Sequence, residues 1–327
     1  MGTGLPSRRT LVGTLAAGLA APAVRAQPGD WPPDRVTIVT SLPAGSSVDI
    51  TTRVFADKLS RVWGRPIVVD NRGGGNGLVA CQMVARAKPD GLTLLATSAM
   101  THAANPALYE RLPYDPVAEF AAVTRFGNSP FVIMAQKGLG TATLDALVTR
   151  LQAEPGKHNY GDGSVPSRIA SELFRMLAGV DIIRVGYRGN QAAYPDLLNG
   201  RLSFMSVDIV GAKPLVDRGE VEALAVTSPE RHPAVPGVPS CVEAGLPGLR
   251  FTTWSGIYAP RATPPDIVQQ IQRDMVTVFE MPDVRARFDQ MGSSREPLVT
   301  PAEFQAFTVS EIAVWGRIIR QAALRLE

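Results

Sequence analysis

Three stretches rich in glycine and serine hold the residues of this chain best suited to chemistry, and the chemistry they suit is anion binding. The first is Leu42-Pro43-Ala44-Gly45-Ser46-Ser47-Val48-Asp49 and the second is Gly161-Asp162-Gly163-Ser164-Val165-Pro166-Ser167. The first lies between an apolar strand and an amphipathic helix; the second, entered from Asn159-Tyr160, has the same build and also precedes a helix. The first turn of a helix leaves backbone N–H groups without partners and carries partial positive charge. Gly and Ser let an anion approach those amides, and the hydroxyls add donors. One such loop is equally well a plain βα turn. Two, one in each α/β unit, point to a cleft that holds one small anion, since open α/β sheets bind ligands outside the carboxyl ends of their strands. Asp49 stands where a helix-capping or first-turn acid belongs, and capping is its plain reading.

The third stretch, Arg72-Gly73-Gly74-Gly75-Asn76-Gly77, meets the spacing of a dinucleotide fingerprint through Gly75, Gly77 and Ala80. The acid that should follow about 20 residues on is missing, because Asp90 comes too early and in a turn. The stretch therefore reads as a tight chain reversal, and no cofactor is expected. Catalytic signatures are absent. Ser164 lacks the glycines two before and two after that a nucleophile elbow requires. Cys81, Cys241, His102, His158 and His232 have no metal-ligand spacing, so no metal is expected. The two cysteines read as buried thiols, although an exported chain also permits a disulfide.

The 327 residues suggest two domains. With 45% hydrophobic and 19% charged residues, the composition is that of a globular protein and excludes disorder, collagen and coiled coil. The net charge of +3 comes from Arg8, Arg9 and Arg25; without them 30 basic residues face 30 acidic ones. The basic balance is therefore no sign of nucleic acid, and none is expected as a partner. Arg8-Arg9, the apolar run Leu11 to Val24 and the small residues around Arg25-Ala26 describe a secretory signal over 1–26, with a twin-arginine look. As a helix that run reaches only ~21 Å, too short to span a bilayer. The mature chain is expected to be exported and monomeric.

The elements that position the loops alternate. Val36–Val39, Ile67–Val69 and Leu92–Ala96 read as strands. The helix from Ile50 to Trp63 is closed by Gly64, and another runs from Leu78 to Ala87. This β-α-β-α-β order implies a parallel sheet. The same grammar restarts at Phe131–Met134, with helices over 144–152, from the second loop to Leu177, and over 191–198. Strands follow over 182–185, 202–207, 223–227 and 251–258. The end is helical over 265–279, 283–291 and 302–324, the last placing Phe304, Phe307, Ile312, Trp315 and Ile319 at near-helical spacing.

These residues carry a resemblance. Pro43-Ala44-Gly45-Ser46-Ser47-Val48-Asp49 resembles the PFxPGGxxD opening of the Bug proteins, the periplasmic substrate-binding (TctC-type) components of tripartite tricarboxylate transporters. Asp70-Asn71-Arg72 with its glycines is similar to their ENRxGAGG. Pro89 to Leu95 is similar to PDGYTLL, Asn105 to Tyr109 to NPALY, and Leu112 to Pro116 to LPYDP. Tyr187-Arg188-Gly189, Ala223 to Thr227 and Glu243 to Gly248 continue the match in order over the mature chain. The resemblance implies an α/β, type II periplasmic binding-protein fold: two α/β domains with a ligand cleft between them. Domain I would be 27–127 plus 252–327, domain II 128–251. It implies a small carboxylate as ligand, gripped by backbone amides of both loops, and membrane permease subunits or a sensor receptor as partner.

Carried over by position, the first loop supplies Ala44, Gly45, Ser46, Ser47 and Asp49, with Ser46 in place of the family's second glycine. The second loop supplies Asp162, Gly163, Ser164 and Val165. It is shorter than the family's, and Asp162 sets a negative charge beside the anion site; it is a candidate for an ammonium group or a helix cap. Thr97, Ser98, Tyr187, Arg188 and Asp208 are further wall candidates, with Arg188 placed to clamp a distal carboxylate. Arg188 favours a dicarboxylate, whereas Asp162 and Asp208 favour an amino acid. The reading is an exported solute-binding protein without catalysis. A sensor component and an exported enzyme on the same scaffold are the alternatives, and the enzyme lacks the base–nucleophile pair it would need.

Overall fold

Strands buried on both faces form the centre of this molecule, whose computed structural model describes residues 1–2, 31–293 and 297–321. The signal segment lies outside the described residues apart from its first two. In chain order the elements begin with β1 (Val36–Thr40), α1 (Ser47–Trp63), β2 (Ile67–Asn71), α2 (Leu78–Ala85) and β3 (Thr93–Ser98). A π-helical turn, Met100–Ala104, leads into the short α3 (Asn105–Leu108). Then come β4 (Phe120–Gln136), α4 (Leu144–Ala153), β5 (Asn159–Asp162), α5 (Val165–Ala178), β6 (Ile183–Gly186), α6 (Asn190–Leu198), β7 (Phe204–Asp208), α7 (Ile209–Asp217) and β8 (Val221–Val226). The chain closes with β9 (Thr252–Pro260), α8 (Pro265–Phe279), α9 (Pro282–Met291) and α10 (Pro301–Gln321).

The strand order is β2-β1-β3-β9-β4-β7-β5-β6, with β8 on the other side of the second half of β4. The βα units pair in parallel (β1 with β2 and β3; β5 with β6 and β7), as short crossovers through helices require. Two long antiparallel strands join the halves. β4 pairs with β9 over Phe120–Pro130 and with β7 and β8 from Phe131 on. The sequence reading has only a strand over Phe131–Met134 here and misses the first half of β4. The 17-residue strand survives Gly127 and Pro130 because a bulge between Phe126 and Asn128, with Gly127 at φ +67°, absorbs the break.

Strand residues alternate between two apolar clusters, one on each sheet face. Val39, Leu95, Phe131 and Ile133 join one, under α2, α5 and α10. Ile38, Leu94, Ala96, Val132 and Met134 join the other, under α1, α7, α8 and α9. Strands covered on both faces explain why they read as continuous apolar runs. Helix α10 seats Phe304 and Trp315 in the core, Phe304 edge-on to Trp254 at 5.5 Å and Trp315 edge-on to Phe251 at 5.0 Å. Cys81 and Cys241 are free, buried thiols, and burial pushes each up to about 12.

Candidate functional site

Both small-residue loops are built as helix entries. Ser46 caps α1, its Oγ accepting from Asp49 N–H at 3.3 Å, and Ser164 caps α5 by accepting from Ser167 N–H at the same distance. Gly45 sits at φ +78°, so the first loop needs a glycine to turn into its helix. The Asp49 carboxylate folds back on that loop. Oδ2 accepts from Gly45 N–H at 2.8 Å, and Oδ1 accepts from Arg53 Nε and Asn71 Nδ2, both at 2.9 Å. Burial alone would raise its pKa, but Arg53, the Gly45 amide and Asn71 together hold it below the usual carboxylate value. Gly163 is locked in the same manner, its N–H donating to Asn190 Oδ1 at 2.8 Å.

The amides left over set the chemistry. Among the described residues, the N–H groups of Ala44 and Ser47 in the first loop and of Ser164 in the second find no acceptor. Ala44, Gly163 and Ser164 line one cavity of about 780 Å³ between the two halves, together with Tyr187 and Arg188. Arg188 is exposed and has no ion pair among the described residues, so its guanidinium is available to a ligand. Tyr187 donates from its hydroxyl to Asp196 at 2.7 Å, and burial together with that carboxylate pushes it up to about 12. It stays neutral and stiffens the wall.

The other candidate residues stand outside the cavity lining. Thr97 is buried in a row of hydroxyls, 2.7 Å from Ser41 and 2.6 Å from Thr101. Ser98 accepts from Met100 N–H at 3.4 Å and so starts the π-helical turn. Val165 is a buried first-turn residue of α5. Asp162 is 3% exposed and forms two hydrogen bonds with Arg184, from Nε at 2.6 Å and from Nη2 at 3.0 Å. Its carboxylate is thereby engaged, which leaves no free charge there for an ammonium group. Asp208 caps α7 through Gly211 N–H at 3.2 Å and also accepts from the Ser47 hydroxyl; burial raises its pKa. Ser47 and Asp208 thus bridge the two halves, as do Gln191 Nε2 and Gly45 O at 2.6 Å.

Sequence reasoning missed a wall. Leu42, Pro43, Asn71, the Gly73–Asn76 loop and Met100 also line the cavity. The glycine stretch is the chain reversal expected of it, with Asn76 at φ +52°, but the reversal folds against the first loop. A Cβ on Gly73 would stand 2.7 Å from both the N and Cδ of Pro43. Asn71 ties the two loops together, since its Nδ2 also donates to Thr40 Oγ1 at 2.7 Å. The signal was in the sequence: a glycine run directly after a strand lies at the same sheet edge as the other two loops.

Among the described residues no group of three or more His, Cys, Asp or Glu could hold a metal, and no helix is long and apolar enough to cross a membrane. His102 is a core residue, stacked 3.9 Å from Tyr258, with burial lowering its pKa to about 3.

Two α/β halves joined by long strands thus enclose a shared cavity lined by residues from both helix entries. The family model described as the tripartite tricarboxylate transporter family receptor (TctC) matches residues 51–324, and the chain belongs to that family. It is 32% identical over 289 residues to a UPF0065 protein from the tcbD–tcbE intergenic region of Pseudomonas sp. strain P51, covering 87% of this chain and 86% of that one. Two solved structures are similar at 30% identity. They are the R. palustris protein Rpa4515 with adipate (TM-score 0.87, covering 91% of this chain and all of that one) and MatC from Rhodopseudomonas palustris with bound malate (TM-score 0.81, covering 88% and all).

Proposed function

We propose that this protein captures a small dicarboxylate between its halves and hands it to membrane permease subunits of a tripartite tricarboxylate-type transporter. The observation that carries the reading is the cavity's charge pattern: amides from the entries of α1 and α5 and the cation Arg188, which have no partner among the described residues, line the same cavity. The three acids nearby are already engaged, Asp49 with Arg53, Asp162 with Arg184 and Asp208 with backbone and Ser47. One ligand carboxylate docks on the amides of Ala44 and Ser164, and the other pairs with Arg188. Adipate and malate, the ligands of the two similar structures, are both diacids and supply the first probes. The lobes divide as 27–127 plus 252–327 and 128–251, and they close on the ligand by bending where β4 and the segment before β9 cross. Residues 1–26 direct export.

The test is a thermal-shift and calorimetric screen of mono- and dicarboxylates on the purified mature chain. A micromolar ligand, about −8 kcal/mol, present at 100 times its Kd stabilises by ~2.7 kcal/mol, or about 4 °C in Tm for a chain of this length. Turnover of the ligand, followed by mass spectrometry, or no shift with any carboxylate refutes the reading. Arg188 gives a sharper check. Arg188→Ala should weaken a dicarboxylate on the order of tenfold, the worth of one charge-assisted hydrogen bond. A monocarboxylate should bind unchanged, and so should the unliganded Tm, because the side chain is exposed. Equal loss for both ligand types sinks the two-ended placement.

A further inference from the structure

Asp162 is the one feature of the second loop that works against an anion, and the structure shows what offsets it. The residue ends β5 immediately before Gly163 and Ser164, at the entry of α5, and its side chain is buried. A negative charge fixed beneath that entry draws on the same partial positive charge a ligand carboxylate would use. Arg184 comes from the neighbouring strand. In the parallel pairing of β5 with β6, Arg184 lies opposite Tyr160 and Gly186 lies opposite Asp162. Arg184 therefore reaches one step diagonally to its acid, across the place where residue 186 would carry a side chain. A Cβ on Gly186 would stand 3.0 Å from Arg184 Nη2 and 3.4 Å from its Cζ, so the glycine makes the room the guanidinium occupies. The fork then meets the carboxylate through Nε and Nη2, in contrast to the single charge a lysine would offer.

We propose that Arg184 is a positioning residue for ligand binding: by neutralising Asp162 it keeps the α5 entry available to a ligand carboxylate, with Gly186 as the slot that admits its guanidinium. The proposal rests on the carboxylate-binding reading above. The other charged and titratable groups around Asp162 do not replace Arg184. From α5, Glu172 is engaged by the Tyr160 hydroxyl and by Arg175, and its charge opposes ionisation of Asp162. Arg168, also on α5, favours the carboxylate from a distance without a hydrogen bond to it. Tyr160 on β5, its pKa raised chiefly by burial, adds no charge. Removing Arg184 leaves a buried carboxylate with no hydrogen-bonded counter-charge, in the position that costs most.

The experiment titrates adipate and malate into the mature wild-type chain and into Arg184→Gln, Arg184→Lys, Asp162→Asn and the double variant Arg184→Gln/Asp162→Asn, from pH 5 to 8, with Tm as the folding control. Expected at pH 8 is a loss on the order of tenfold in Arg184→Gln, a smaller loss in Arg184→Lys, and wild-type affinity in Asp162→Asn and in the double variant. Arg184→Gln should recover affinity as pH falls and Asp162 protonates, while the double variant shows no such recovery. A merely structural Arg184 would leave the double variant as weak as the single one and its affinity flat with pH, and either result overturns the proposal. If Arg184→Gln fails to fold, the double variant and Asp162→Asn still decide: the proposal requires both to bind like wild type. A wild-type chain that binds neither these acids nor any other carboxylate of the screen refutes the carboxylate reading and this inference with it; a wild type that binds, beside variants without the pattern, refutes the inference alone.

Discussion

Replacing Gly163 with alanine is expected to cost about 3 kcal/mol of stability, the upper part of the overpacking range, and to abolish high-affinity binding. The added Cβ would stand 2.0 Å from Gly189 C, 2.2 Å from Asn190 N and 2.4 Å from Gly189 O. All three are backbone atoms, so no rotamer change relieves the clash. The opposing backbone has little freedom to retreat. Asn190 holds Gly163 N–H through its side chain, and Gly189 O accepts from Ala192 N–H at 3.1 Å in the first turn of α6. The relief left is to pull the second loop away from the cavity, carrying the Ser164 amide with it. Losing the charge-assisted hydrogen bond of the Ser164 amide, up to ~3 kcal/mol, amounts to as much as about a hundredfold in Kd. Thermal melts and calorimetry with the best ligand of the carboxylate screen check both effects. Ser164→Ala is the contrast, because it removes only a helix cap worth about 1 kcal/mol. A Gly163→Ala chain that melts and binds like wild type would mean that the second loop does not touch the entry of α6 in solution.

That contact marks the limit of what the sequence discloses. The two loops were legible because local chemistry declares them: a run of small residues with glycine and serine, then an amphipathic helix. Gly64, expected to close α1, does so in the left-handed conformation. The two faces of β1 and β3 were legible as buried runs for the same reason. What stayed hidden depends on which strands lie side by side. Asp162 and Arg184 are 22 residues apart and meet only through the diagonal of a parallel pair, so the acid read as a lone charge at the site. The strand was read only from Phe131 because local propensity carries no knowledge of β9, whose ladder holds β4 through Gly127 and Pro130. The glycine run after β2 was seen and correctly taken as a reversal, yet its second role as a cavity wall follows from its contact with Pro43, 30 residues earlier. The π-helical turn that brings Met100 to the cavity has no periodic signature at all, and its support is a set of buried hydroxyls and Tyr114, which donates to Thr101 O at 2.7 Å.

Asp49 unites these threads, and its loss is the second large effect expected. Its carboxylate joins the first loop (Gly45), α1 (Arg53) and the end of β2 (Asn71), and Arg53 Nη2 closes the circuit by donating to Asn71 Oδ1 at 2.9 Å. Asp49→Ala removes three acceptor contacts and strands the Gly45 N–H, at an expected cost of about 2–4 kcal/mol. The first loop and the glycine wall would then move independently, and carboxylate affinity should fall by on the order of tenfold or more. The acid sits close to the cavity, so a direct role as ligand partner is the competing explanation, and pH separates the two. A carboxyl whose folded pKa lies below its unfolded value contributes stability at neutral pH, above the unfolded value of about 3.8, and loses it as pH falls through the folded value. The Tm gap between wild type and Asp49→Asn, measured without ligand, should therefore be widest near neutrality and shrink as pH drops below about 4. Were Asp49 instead a group held ready for a ligand, the gap without ligand would be near zero at every pH and open only when the carboxylate is added.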